Sequence, residues 1–446
     1  MRLKIIVTGL VAGIISITGF SQSTSEKEIT LRECLKLAVE NSPKLKISLL
    51  EQSKLKYRYQ ETIGKGLPNL NFTGALDDYV NLPTQLIPGE FINRPGEMIP
   101  VQFGTTYNLS GAVDATQMIY NQTFLVALRL AKQMMEENVL STEKFKTGLL
   151  LEVAQSYYLT QVTRKQIVNQ ESNLQKLEKA EKIAQSQYES GLIKKVDVDR
   201  IVIQKLNLMS DNDRLHVLLE QELSMQRYYM GLPMNQPLSF PDSVPLSTLI
   251  PGTDTNLSNH IDIRMIEMQR ELANTNLRLK YSEYYPSVTF IGNVSYSNQN
   301  NSYYFFGKPD AWFNMSLIGL RLNVPIWDGF QKRSKVSQSK VDLKQIQVTE
   351  DDTRRILRIQ SEDAARKLLA SIEAEKRQRQ NVTIADRVYG ISQEQYQKGL
   401  IPLTDLLNSE TALRDAQTGQ TYALIQMKIA ELEYMNANGT LLKLLE

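Results

Sequence analysis

The chain has 446 residues, of which 51 are basic and 49 acidic, and 42% of the residues are hydrophobic. Because the opposite charges almost cancel, the composition does not indicate a protein that binds nucleic acid. The length allows two or three ordinary domains or one elongated one, and beyond the N-terminus no stretch is apolar enough for a transmembrane helix.

The N-terminus has the features of a secretory signal peptide. Basic residues precede an apolar stretch at residues 5–17, and two small residues, Gly19 and Ser21, lie just before Gln22. Residues 1–21 are therefore expected to be removed and the mature chain to be exported.

Two helices and a pair of strands are predicted next. Thr30 is placed to cap a short amphipathic helix at residues 29–41, in which Cys34 takes a packed position. As the single cysteine, it leaves no intrachain disulfide framework. After a second helix the period of the apolar residues changes from 3.6 to 2, which predicts two strands within residues 69–118. Between them, residues 78–104 contain four prolines and are predicted to form a long loop.

Residues 122–231 are expected to form a long helical hairpin. The part before residue 190 lacks proline and would span on the order of 100 Å as a helix, which indicates a coiled-coil rod. Its heptad seam is predicted to contain Leu174, Leu177, Ala184 and Tyr188. A turn at Gly191 reverses the chain, and Gly231 ends the returning helix.

The same order of elements then recurs, which indicates an internal duplication. Residues 22–231 are the first predicted repeat and residues 232–257 a linker or equatorial segment. Residues 258–446 are the second repeat, with a strand pair at residues 287–325 and a helical hairpin at residues 330–439.

A constant offset of 208 residues supports the duplication. It relates Tyr188 to Tyr396, Gly191 to Gly399, Asp197 to Asp405 and Gly231 to Gly439. The second heptad seam, in the same register, is predicted to contain Val382, Ala385, Tyr389 and Tyr396.

Strands with one polar and one apolar face in an exported protein are typical of a transmembrane barrel, because only a closed barrel pairs every strand in lipid. Four strands cannot close, so several chains must each contribute four. Two chains would give eight strands and a lumen filled by side chains, whereas three would give twelve strands and a channel. The alternative is a soluble coiled-coil protein with two surface hairpins.

The whole mature chain resembles the TolC family of outer-membrane efflux proteins. The resemblance lies in the duplicated Tyr-x-x-Gly-Leu-Ile-(x)3-Asp tips, the strands that follow Pro68 and Pro286, and the VPIWDG segment at residues 324–329. It implies a mixed α and β fold in which a homotrimer forms a twelve-stranded transmembrane β-barrel with four strands per chain. A long α-helical coiled-coil barrel continues it. The loop at residues 78–104 is then expected on the cell exterior.

The resemblance also implies a location and partners. The barrel would lie in the outer membrane of a Gram-negative bacterium, with the helices in the periplasm. A periplasmic adaptor (membrane fusion protein) and an inner-membrane transporter would complete a tripartite exporter for small toxic compounds. The same layout would suit an outer-membrane duct for type I protein secretion. A periplasmic coiled-coil scaffold that transports nothing is the alternative from another class.

Conduction, not catalysis, is the expected activity. The chain has no phosphate-binding glycine loop and no nucleophile motif, so a partner must supply the energy. Its two histidines, His216 and His260, lie far apart without a ligand motif around them, so neither a metal nor another cofactor is expected.

The resemblance assigns a gate to the two hairpin tips. It implies a bond between Asp197 and Tyr396 that holds the periplasmic entrance closed, and an acidic ring built by Asp405. Two positions depart from the family's pattern, because Ile401 replaces a basic residue of the lock and Asn408 replaces a second acid of the ring. Clustered carboxylates at the entrance would favour cations.

Two other interpretations concern the same tips. Asp197 and Asp405 could instead cap the returning helices. The turn residues present apolar side chains, which a partner surface explains better than solvent does. They are therefore predicted to dock the adaptor, and comprise Gly191, Leu192, Ile193, Gly399, Leu400 and Ile401.

Overall fold

The computed structural model describes residues 28–88, 90, 95–241, 243–247, 249, 251–252, 257–306 and 312–445. The predicted signal peptide, residues 1–21, lies outside this part of the chain. In chain order the elements are α1 (Leu31–Asn41), α2 (Pro43–Gly64), β1 (Asn69–Asp78), β2 (Thr84–Pro88), β3 (Met98–Gln102), β4 (Tyr107–Asn121), α3 (Gln122–Glu189), α4 (Lys195–Met230), α5 (Ile261–Ser282), β5 (Ser287–Asn300), β6 (Trp312–Asn323), α6 (Gln331–Gln397) and α7 (Leu403–Ala437).

Two long helical hairpins, α3–α4 and α6–α7, dominate the mixed α and β fold. Helix α3 has 68 residues and α6 has 67, so each extends for about 100 Å. Contacts between α3 and α7 join the two hairpins, which gives the lateral order α4, α3, α7, α6. None of the described helices contains a stretch long and apolar enough to cross a membrane.

Local signals in the sequence set where the helices begin and end. Thr30 and Glu33 form a capping box at α1, in which each side chain accepts a hydrogen bond from the other residue's backbone N–H. The amide oxygen of Asn121 accepts from the backbone N–H of Phe124 at 3.0 Å and so caps α3. Gly231 ends α4 with a left-handed φ of 63°.

Four long strands form one antiparallel sheet in the order β1, β4, β5, β6. The strands of the two predicted pairs thus meet through β4 and β5, where Asp114 is opposite Asn293. Strand β4 runs to Asn121 rather than ending near residue 118, and a bulge lies between Met118 and Tyr120. Within the described part of the chain the outer edges of β1 and β6 have no strand partner.

The register assigns the strand residues to two faces, because successive side chains point to opposite sides. We call one the apolar face: it carries Leu70, Phe72, Leu76, Leu109, Val113, Val288, Phe290, Val294, Ile318, Leu320 and Leu322. Across residues 70–76, 109–117, 288–298 and 312–322 this face has no charged side chain. The polar face carries Asn71, Thr73, Ser110, Asp114, Asn293, Ser295 and Arg321, together with the apolar Phe313, Met315 and Leu317 of β6.

The segment at residues 78–104, predicted to be a loop, contains a separate hairpin instead. Strand β2 pairs with β3, so that Thr84 lies opposite Gln102 and Ile87 opposite Ile99. The prolines that suggested a loop are tolerated because each strand of a two-stranded ribbon is an edge strand, which needs only one row of backbone bonds.

The largest apolar core lies where α1 packs against the middle of the long helices. Phe240, from the predicted linker, is fully buried in it, with its ring centroid 5.2 Å from that of Tyr157. The backbone N–H of Ile29 donates to the carbonyl of Ser239 at 2.8 Å. The linker is therefore anchored to the helical body by a buried side chain and by a backbone hydrogen bond.

Candidate functional site

The two hairpin tips have the same backbone geometry. Gly191 and Gly399 adopt left-handed φ angles of 75° and 71°. In each turn the glycine N–H donates to the carbonyl three residues earlier, and the next N–H reaches five residues back, at 2.8 to 3.0 Å. This arrangement ends a helix most easily at glycine, because a Cβ there costs about 1–2 kcal/mol. The repeated Gly-Leu-Ile signal thus produces the same reversal twice.

The tips pack against each other through one apolar cluster, called the tip cluster. Its buried members come from four helices and are Leu177, Ala180, Ala184, Val198, Ile201, Leu208, Tyr389, Tyr396, Leu403, Leu406, Leu407 and Leu413. Because both hairpins contribute to this cluster, the two tips are in direct side-chain contact.

The predicted docking residues differ in exposure. Leu192 and Leu400, at the ends of the turns, are 75% and 70% exposed. Ile193 and Ile401 pack in part against the tip cluster, so these two side chains are less exposed than the sequence predicted. Each lies just before the N-cap of the returning helix, the position from which an apolar side chain staples to the fourth helical residue.

Asp197 and Asp405 occupy equivalent places but do not act as N-caps. The N-cap residues are Lys194 and Pro402, neither of which makes a side-chain capping bond. Both acids lie in the first helical turn, where a negative charge interacts favourably with the helix dipole. Asp197 also accepts a hydrogen bond from Arg200 at 3.1 Å.

Tyr396 lies inside the tip cluster at 2% exposure. Its hydroxyl has no hydrogen-bond partner among the described residues. Burial raises the pKa of Tyr396, and the negative charge of Asp197 raises it further. The charge of Asp197 thus affects Tyr396 on the other hairpin, but no hydrogen bond joins the two predicted lock residues.

The repeat-related Tyr188 has a different environment. It is 40% exposed and lies one turn beyond Ala184, the last α3 residue of the tip cluster. Its predicted place on the packed seam is therefore wrong, although Leu174, Leu177 and Ala184 pack as expected.

Asp405 and Asn408, the predicted ring positions, are both exposed. They are three residues apart on α7 and so share one side of the helix. Their exposure leaves them free to face a lumen or a partner, while Leu406 and Leu407 between them are buried.

The sequence interpretation missed Glu410, which is buried on the inner side of α7. Both carboxylate oxygens lack a hydrogen-bond partner among the described residues. A signal was available, since Leu403, Leu406, Glu410 and Leu413 follow the alternating spacing of three and four residues that marks a heptad seam.

The comparisons with known proteins agree with this architecture. The family model described as "Outer membrane efflux protein" matches residues 34–201 and 253–440. The structure of CusC shares 15% identity, with 93% of each chain covered and a TM-score of 0.75. The CmeC channel of Campylobacter jejuni shares 13% identity over 99% of this chain and 94% of its own, with a TM-score of 0.75.

Two further relatives broaden the comparison. The open MtrE channel of Neisseria gonorrhoeae shares 14% identity over 92% of this chain and 88% of its own, with a TM-score of 0.71. At such identities the structural likeness shows the fold alone. Nodulation protein T of Rhizobium leguminosarum bv. viciae is 25% identical over 173 residues, which span 38% of this chain and 34% of that protein.

Proposed function

The chain belongs to the outer membrane efflux protein family, and on that premise we propose that it is the exit duct of a tripartite exporter. Three copies form the duct, which conducts small toxic compounds passively from a periplasm-spanning pump to the exterior. The transport energy comes from an inner-membrane transporter, to which a periplasmic adaptor connects the duct. The chain itself carries out no catalysis.

The observation that carries this proposal is the charge-free apolar face of the four-stranded sheet. On this face Leu70, Phe72, Val113, Val294 and Ile318 are exposed or half-buried in the single chain. A lipid bilayer suits such a face, whereas a charged side chain at the bilayer centre would cost about 2–4 kcal/mol. The opposite face, with Asp114 and Arg321, suits a water-filled lumen.

The open edges of β1 and β6 support the trimer. In lipid every backbone N–H and C=O must be paired, so β6 of one copy must pair with β1 of the next. Three copies close a barrel of twelve strands, which leaves a channel. The smaller barrel of two copies would be filled by its own side chains.

Helices α4 and α6, at the two ends of the lateral order α4, α3, α7, α6, support the same closure. Val196, Ile203 and Val217 are exposed on α4 at multiples of seven residues, as are Ile384 and Ile391 on α6. Exposed apolar residues at heptad spacing are typical of a coiled-coil contact. We infer that α4 of one copy packs against α6 of the next and continues the barrel as a helical tunnel.

The tips then form the periplasmic entrance. Asp405 and Asn408 face the constriction, where three copies place three carboxylates in one ring. The low dielectric of the surrounding wall focuses their field, which favours cations. Asp197 and Tyr396 hold the two hairpins of each copy together.

Subcellular fractionation and gel electrophoresis test the assembled state. The duct predicts a heat-resistant trimer extracted by detergent from outer membranes. A soluble periplasmic monomer would support the scaffold alternative and contradict the proposal.

Adaptor docking is tested at the exposed leucines of the tips. Leu192→Glu combined with Leu400→Glu is expected to abolish co-purification of the adaptor. The double variant removes two exposed leucines from an apolar contact and puts two charged side chains in their place. Leu86→Glu, at an exposed leucine of the β2–β3 hairpin, is the control and should leave capture unchanged. Equal adaptor capture by the tip variant and the control would remove the docking role.

A further inference from the structure

Glu410 is the least expected side chain of the tip region. It is 1% exposed, and neither carboxylate oxygen has a hydrogen-bond partner among the described residues. A buried carboxylate without partners is unfavourable when ionised, and such groups are rare outside sites with a role. Because the chain's own helices already cover it, a neighbouring copy cannot supply the missing partner in the packed tip.

The position of Glu410 on its helix affects the packing of the helices as well as their electrostatics. It occupies a seam position between Leu406 and Leu413, both of which are buried in the tip cluster. A polar residue at such a seam position lowers the stability of the packed helices. The residue 208 positions earlier, at the corresponding place in α4, is Val202, so only the second hairpin carries the acid.

Charged groups of α3, α6 and α7 surround Glu410. Lys176 of α3 lies 5.0 Å above the ring of Tyr389 of α6 and forms an ion pair with Asp386 at 3.3 Å. Helix α7 itself contributes Arg414 and Asp415. The residues of α4 in the tip cluster, Val198, Ile201 and Leu208, are all apolar.

Desolvation by burial raises the pKa of Glu410, and the charge of Asp415 raises it further, although Arg414 and Lys176 act in the opposite direction. The packed tip therefore favours the protonated carboxyl. When pH rises, the ionised form is stabilised by leaving the seam for water or for the nearby Lys176 and Arg414. That movement would separate α7 from α3 and α6.

We propose that Glu410 is a pH-sensitive latch of the tip, which keeps the two hairpins packed while it is protonated and loosens them when it ionises. As a control of conduction, the latch rests on the proposed duct. Glu410 acts through the packing of Tyr389 and Leu406 rather than by contact with a transported compound, so it is a positioning residue.

The sign of the pH effect is fixed by the raised pKa. The protonated carboxyl of Glu410 stabilises the packed tip fully below the ordinary glutamate pKa of 4.5. This stabilisation is lost as pH rises through the raised pKa of the buried carboxyl. Between these two values, opening should increase by up to about tenfold per pH unit.

Hydrogen exchange of the full-length protein in detergent tests the latch directly. The measured quantity is the amide exchange rate of the wild type divided by that of Glu410→Gln, for residues 389–396 and 403–413. The intrinsic exchange rate cancels in this ratio at each pH. The ratio should be near unity at pH 4.5 and should rise severalfold or more by pH 8. Glu410→Val, which copies Val202, should behave like Glu410→Gln. Asp213→Asn, at an exposed acid of α4 outside the tip cluster, should retain the wild-type profile.

A ratio that stays flat with pH, or an Asp213→Asn profile matching that of Glu410→Gln, would overturn the latch. Conductance in planar bilayers tests the proposed duct independently of the latch. If exchange follows the predicted profile while wild type and variants conduct nothing, the latch stands and the proposed function fails. If wild type conducts with the same pH profile as Glu410→Gln, the duct stands and the latch fails.

Discussion

Val294→Lys is expected to abolish assembly of the trimer in the outer membrane. Val294 lies near the centre of β5 on the apolar face, opposite Val113 on one side and Ser316 on the other. A lysine facing lipid near the bilayer centre costs about 2–4 kcal/mol in each copy, and the closed trimer contains three. The measurement is the amount of heat-resistant trimer in purified outer membranes, which should fall to background.

Ser295→Lys is the matched control for this prediction. Ser295 is the next residue of the same strand and faces the polar side, between Ala112 and Met315. A lysine there would point into the lumen and keep its hydration, so trimer yield should remain close to wild type. If both variants assemble equally, or if only the Ser295 variant fails, the assignment of the apolar face to lipid is wrong.

Tyr396→Phe combined with Asp197→Ala is expected to raise the single-channel conductance severalfold. The pair lies where the two hairpins meet, and the structure places the Asp197 charge close enough to raise the pKa of Tyr396. If the residues hold the entrance closed in the trimer, removing both releases the tips. Currents through single trimers in planar bilayers provide the measurement.

The same variant does not raise the conductance if no lock exists. The Tyr396 hydroxyl is buried without a partner in the single chain, and removing an unsatisfied buried hydroxyl is neutral or stabilising for packing. Conductance would then be unchanged or lower, and the two residues would be reduced to packing. Tyr188→Phe, at the exposed repeat-related tyrosine, is the control and should have no effect on conductance.

Elements with a clear period were predictable from the sequence. The switch to a period of two places the strands of the sheet, and the long proline-free stretches place α3 and α6, because these patterns follow directly from backbone geometry. The glycines of the tips were equally informative, since only a left-handed residue closes such a turn easily. The β2–β3 hairpin was missed because prolines are tolerated in two-stranded ribbons.

The differences between the two tips could not be predicted from local sequence. Tyr188 and Tyr396 share the same Tyr-x-x-Gly-Leu-Ile context, yet one is exposed and the other buried. Their burial depends on which helix packs over them, and that is set by contacts between the hairpins. Glu410 was missed for a related reason, because its burial depends on α3 and α6 as well as on its own helix. The closure of β1 on β6 stays a prediction that needs three copies.

Conductance of purified trimers in a planar lipid bilayer is the sharpest test of the proposed duct. A duct predicts discrete current steps with a preference for cations over anions, because Asp405 would place three carboxylates at the entrance of the proposed trimer. The Asp197→Ala, Tyr396→Phe variant should give larger steps than wild type. Correctly folded trimers of both proteins that insert into the bilayer and carry no current would show that the chain does not form a duct.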